Sequence, residues 1–150
     1  MADNASLLRS GDSTSDRQAG SRDPISEWIR ENAIVLSSLE AGHGFQDLEP
    51  LDKIIDNGVR VVGLGEATHG TREVFQFKHR MLEYLVVKKG FTVFVIEAGY
   101  DVCIGINDYV LYGQGTAASA LAGQGFWTWD TEEVLAMIEW IRRYNISQPE

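Results

Sequence analysis

Apolar positions along this chain follow two different rhythms. From Val59 to Leu64 the residues are mostly Val and Leu, and Phe91 to Ile96 repeats the pattern. Such runs suit parallel strands covered on both faces. Between them Val74, Phe77, Met81, Leu82 and Leu85 recur at the helical period, which predicts a helix over 72–89. Thr71 is placed to cap its start and Gly90 to end it. Strand, helix, strand reads as a right-handed βαβ unit. The expected fold class is therefore α/β, a mostly parallel sheet flanked by helices. Only two strands are convincing, and a parallel pair with two apolar faces is not a stable sheet alone. The expectation is an incomplete sheet, the N-terminal part of a larger α/β domain.

The remaining elements are helical or loose. Asp23 and Pro24 open a helix whose imperfect apolar face is Ile25, Trp28, Ile29, Leu36 and Leu39. Ala41 to Gly44 breaks it and leaves His43 in an exposed loop. Leu48, Leu51, Ile54 and Ile55 predict a short helix stopped by Asp56-Asn57-Gly58. Residues 101–112 read as a glycine-broken helix, and 113–125 as a loose segment of small residues. After the aromatic cluster Phe126-Trp127-Thr128-Trp129, Asp130 is placed to cap a last helix that runs to about Tyr144. Residues 1–22 are polar, with only Leu7 and Leu8 large and apolar, and read as a disordered tail. Residues 23–150 then form one domain or part of one.

Composition removes some classes of function. The chain has 22 acidic and 13 basic residues and a net charge of −9. Nucleic acid and anionic membranes both call for a basic face, so neither is an expected partner. No run is long enough to span a bilayer, and no signal peptide is visible. The single cysteine, Cys103, excludes an internal disulfide and fits a reducing cytoplasm.

The chemistry centres on Gly65-Glu66-Ala67-Thr68-His69-Gly70, directly after the first predicted strand. Histidine, with an ordinary pKa of about 6.5, is a natural general base near neutral pH. A carboxylate beside it can set its tautomer and stabilise the imidazolium. In open α/β sheets, ligands bind at the edge where parallel strands end. Glu66 and His69 follow one such end and Glu97 the other, so the three are expected to converge. Lys78 lies on the apolar stripe of the central helix and either snorkels or reaches a carboxylate. Arg72, at the helix start, either binds an anionic or carbonyl oxygen or is a surface charge. His79 and Arg80 read as a solvated helix face. No metal motif, Walker lysine or nucleophile elbow is present. Water activated by His69 is the simplest chemistry, and a metal-dependent reaction is the competing one.

The motifs in order are Gly65 to Glu73, Lys78-His79-Arg80, Phe91-Thr92 leading to Ile96-Glu97-Ala98-Gly99, Asn107-Asp108-Tyr109-Val110 and Gly125 to Trp129 with Thr131 to Val134. This series resembles the erythromycin esterase family over roughly residues 25–145. The resemblance implies a hydrolase that opens an ester or macrolide lactone with a histidine-activated water, and a link to antibiotic resistance. It implies His69, Glu66 and Glu97 as catalytic residues, and beside them Arg72 and Lys78 are expected on the substrate. It implies no obligatory cofactor but leaves a divalent metal open. Family chains are much longer, so it also implies a missing C-terminal half, or a second copy, as partner. The alternative from another class is a non-catalytic remnant or small-molecule binding module.

Overall fold

A computed structural model of the chain describes residues 23–148. The segment expected to be a disordered tail lies outside the described residues. The chain divides into two compact units, Met1–Ala33 and Ile34–Glu150. The described part of the first is one helix, α1 (Pro24–Asn32). The Asp23 side chain caps it, accepting from the backbone N–H groups of Ile25 and Ser26 at 3.4 and 3.2 Å. Pro24 sits where a missing N–H is harmless. The helix ends at Asn32, so Leu36 and Leu39 are not on it.

The second unit begins with a one-sided loop and a 3-10 helix, Gln46–Lys53. Leu48 and Ile55 are buried beneath it. Then come α2 (Arg72–Lys89), α3 (Tyr100–Tyr112), α4 (Ala117–Gly123) and α5 (Glu132–Ser147). The expected bounds of α2 hold. Gly90 ends it with φ of 72°, a left-handed conformation that favours glycine.

The α/β expectation is overturned. All regular elements among the described residues are helical, and there is no strand or sheet. Residues 59–64 and 91–96 lack any assigned strand, because apolar content suits a strand but only a hydrogen-bonded ladder makes one. Val62 and Leu64 turn inward onto Met81, Tyr84 and Leu85, while Val61 faces solvent at 84% exposure. Val93 and Val95 are likewise exposed, and only Phe91 and Ile96 at the ends of that run pack inward. Each run thus covers helices from one side.

Two apolar clusters flank α2. Phe75 and Leu82 pack with Ala117 and Leu121 of α4, Trp129, and Val134, Met137 and Ile138 of α5. Met81, Tyr84 and Leu85 pack with Leu48 and Ile55. A helix covered on two sides buries polar residues as well, which corrects the solvated face expected for His79 and Arg80. Arg80 is fully buried. It donates to the carbonyls of Ser38 and Gly44 and makes a two-nitrogen contact with the Asp47 carboxylate. It therefore holds the loop before the 3-10 helix against α2.

The segment 113–125 is not loose throughout. Thr116 and Ser119 form a reciprocal capping box that starts α4. Helix α5 starts one residue later than expected, with Thr131 in place of Asp130 as cap. Its last turns tie onto α3, Arg142 and Asn145 donating to the carbonyls of Leu111 and Val110, both at 2.9 Å.

Candidate functional site

Glu66 sits at the end of an extended run, and its side chain follows Val62 and Leu64 toward α2. The backbone then turns at Gly70, where φ is 72°. That turn brings His69 back onto Glu66 three residues earlier. His69 Nδ1 contacts Glu66 Oε1, and Lys78 Nζ contacts Glu66 Oε2. One carboxylate thus bridges an imidazole and an ammonium.

Burial grades across this chain of groups. The Lys78 side chain is 6% exposed, Glu66 13% and His69 56%. Phe75 and Trp129 enclose the ammonium, each ring centroid 5.2 Å from Lys78 Nζ. The hydrogen bond from Lys78 is the largest influence holding the Glu66 carboxyl below its ordinary range, and His69 adds to it against the opposing effect of burial. An ionised carboxylate can only accept, so the contact with Glu66 suits the imidazole tautomer that carries its proton on Nδ1. That tautomer leaves the Nε2 lone pair as the basic position.

The structure joins Glu66, His69 and Lys78 by direct contact. Glu97 joins them only through its backbone. Its carbonyl accepts from Trp129 Nε1 at 3.1 Å, and its side chain is exposed. Arg72 is paired with Glu133 at 3.3 Å, which ties the start of α2 to the start of α5. Arg72 remains mostly in solvent, whereas Lys78 is buried behind Glu66.

The pattern of residue types did not reveal two aromatic neighbours of the site. Trp129 roofs Lys78, and Trp127 stands edge-on to His69 with ring centroids 6.5 Å apart and planes 89° apart. The aromatic cluster was visible in the sequence, but its partners are distant along the chain.

Among the described residues no group of three or more His, Cys, Asp and Glu side chains is placed to hold a metal ion. Both Glu66 oxygens are already engaged. The described residues at this turn therefore do not by themselves make a metal-ligand set.

Comparison with known proteins finds similarity to one family. Residues 86–150 match the family model for erythromycin esterase. Over 119 residues the chain is 32% identical to erythromycin esterase type II of Escherichia coli, a match covering 79% of this chain and 28% of that one. It is 31% identical over 136 residues to YbfO of Bacillus subtilis (strain 168), named as a candidate hydrolase, covering 91% and 29%. A crystal structure of a Bacillus cereus protein superposes with a TM-score of 0.76 at 38% identity, covering 84% of this chain and 30% of that one. A succinoglycan biosynthesis protein superposes with a TM-score of 0.75 at 38% identity, covering 82% and 30%. The resemblance read from the motifs is thus matched by the erythromycin esterase family model over residues 86–150 and by relatives at 31% and 32% identity. The chain spans between 28% and 30% of the length of these relatives. No helix among the described residues is long and apolar enough to cross a membrane.

Proposed function

We propose that this chain supplies the general base of a cytoplasmic hydrolase that cleaves a carboxylic ester or a lactone. The observation that carries the reading is the Lys78–Glu66–His69 series, which grades from buried ammonium to accessible imidazole. His69 Nε2 takes a proton from water as the water oxygen bonds to the ester carbonyl carbon. Glu66 accepts the Nδ1–H and stabilises the imidazolium that forms. As the tetrahedral intermediate collapses, the carbon–alkoxide bond breaks and the Nε2 proton passes to the departing oxygen. An acid and an alcohol result, or a ring-opened hydroxy acid from a lactone.

Lys78 acts in this proposal through Glu66. Arg72, with most of its guanidinium in solvent, meets an anionic or carbonyl oxygen of the substrate. Glu97 shapes the far side of the site. The name of the Escherichia coli relative favours a macrolide lactone and a role in antibiotic resistance. A further segment or a second copy would complete the substrate pocket.

The short span relative to the relatives favours one second reading, a small-molecule binding module without catalysis. Incubation with a macrolide and with simple esters separates the two. A lactone that gains the mass of one water supports the hydrolase, and intact ligand that still binds supports the module. His69→Ala should lower the hydrolytic rate by about 10²–10⁴. A change in kcat/KM below about threefold would remove His69 from the mechanism. Loss of activity on chelation, restored by a divalent metal, would favour a metal-dependent route.

A further inference from the structure

Three properties of Trp127 bear on the site. It is a large aromatic residue with 71% of its surface exposed. Its backbone is firmly held. The buried Gln124 side chain donates to the Phe126 carbonyl at 2.7 Å and accepts from the Phe126 N–H at 2.9 Å. On the other side Thr128 and Trp129 are buried, at 2% and 7% exposure, and Trp129 is bonded to the Glu97 carbonyl. Finally, the exposed indole stands beside the proposed base. A Cβ built on Gly70 would lie 3.5 Å from Trp127 Cζ3, so the ring is near contact with the turn that carries His69.

Among the described residues the exposed indole adds little to the fold. Apolar area left in water adds little to folding, and the loop is already anchored by its buried neighbours. An aromatic side chain projecting from a held backbone beside the proposed base is instead suited to stacking against a ligand, because a tryptophan offers a large contact area with few rotatable bonds.

We propose that Trp127 is a specificity-determining residue, an aromatic platform that binds a flat apolar or ring-bearing group next to the scissile carbonyl. The proposal rests on the hydrolase reading of the same site and narrows its substrates. Esters with a ring beside the carbonyl are favoured over small aliphatic esters. Trp127 holds the apolar portion while His69 Nε2 faces the carbonyl.

The test begins with a ligand that cannot be hydrolysed. Methyl 1-naphthyl ketone is titrated into the full chain and followed by NMR at the indole N–H of Trp127 and the Cε1–H of His69. Both resonances should move with one dissociation constant. Trp127→Ala should weaken binding by about tenfold or more, whereas Trp127→Phe should stay within about threefold of the unmodified chain. Trp28→Ala, an exposed tryptophan on α1, should leave affinity unchanged. Unaltered circular dichroism would show that the variants fold. Failure of the ketone to bind, or an affinity change in Trp127→Ala below about twofold, overturns the platform.

Hydrolysis of methyl 1-naphthoate and methyl acetate forms the second arm. Trp127-dependent binding without hydrolysis of either ester upholds the platform and removes the water-activation reading. Hydrolysis of both esters with a KM indifferent to Trp127→Ala upholds water activation and overturns the platform.

Discussion

Lys78 and Glu66 are twelve residues apart in sequence and form an ion pair almost out of water, with side chains 6% and 13% exposed. The pair lies directly behind His69. The ammonium is enclosed by Phe75 and Trp129, so loss of Glu66 would leave a buried charge without its partner.

Breaking this pair should therefore destabilise the chain more than a surface change does. Lys78→Met is expected to cost about 3 kcal/mol in urea unfolding, with Lys78→Arg costing less. The same pair sets a pH dependence. Glu66 has a folded pKa below its ordinary 4.5, so its contribution is present above that value and is lost as pH falls through the lowered folded pKa. Lys78→Met should shrink this acid-side loss, measured by unfolding at a series of acidic pH values.

Glu66→Gln keeps the shape of the side chain and removes its charge. The amide is a poorer acceptor for the His69 Nδ1 proton and cannot stabilise an imidazolium by ion pairing. Esterase activity should fall by about a hundredfold, chiefly in kcat. An unchanged kcat would show that Glu66 does not serve the base.

Arg80 predicts a local unfolding event. Its guanidinium holds the carbonyls of Ser38 and Gly44 and the carboxylate of Asp47. Arg80→Leu should lose about 3 kcal/mol of stability. Amide exchange should rise first over residues 37–48, the loop that Arg80 holds, measured by hydrogen–deuterium exchange. Equal protection of that loop in the variant would contradict the anchoring role.

His79 predicts acid sensitivity from a different group. Burial is the main cause, with nearby Arg143 adding to it, that lowers its pKa from 6.5 to about 4. Glu83 Oε1 lies 3.9 Å from Nε2 and pulls the other way, and Trp140 packs edge-on against the ring. The unfolded chain binds the proton between these two pKa values and the folded chain does not. Stability from the neutral imidazole is thus complete above about pH 6.5 and declines as pH falls toward about 4, with about 2 kcal/mol lost at about pH 5. His79→Phe should flatten that part of the profile, as read from urea melts near pH 7 and pH 5.

Much of the local structure was legible in the chain. The apolar repeat from Val74 to Leu85 and the stop at Gly90 define α2 because helix geometry and a left-handed terminus are short-range properties. The Glu66–His69 contact spans three residues and needs only a tight turn. Even the missed start of α4 was local, a Thr116–Ser119 capping box obscured by the small residues around it. Asp23 and Pro24 marked α1 correctly for the same reason.

Longer-range partners decided the rest. Val59–Leu64 and Phe91–Ile96 have strand-like composition, yet a sheet is a relation between chains of backbone donors and acceptors, which residue types do not specify. Arg80 looked solvated until a carboxylate 33 residues earlier was folded onto it. Whether Lys78 snorkels or reaches a carboxylate is open in the sequence, and only the fold brings Glu66 to it across the start of α2. The sequence alone determined the bounds of α2, the start of α1 and which neighbouring groups meet in the Glu66–His69 turn, because those outcomes depend on adjacent backbone geometry. Only tertiary structure decided which charges are buried, which aromatics roof or flank the site, and that neither apolar run forms a strand, because each depends on surfaces brought together from distant parts of the chain.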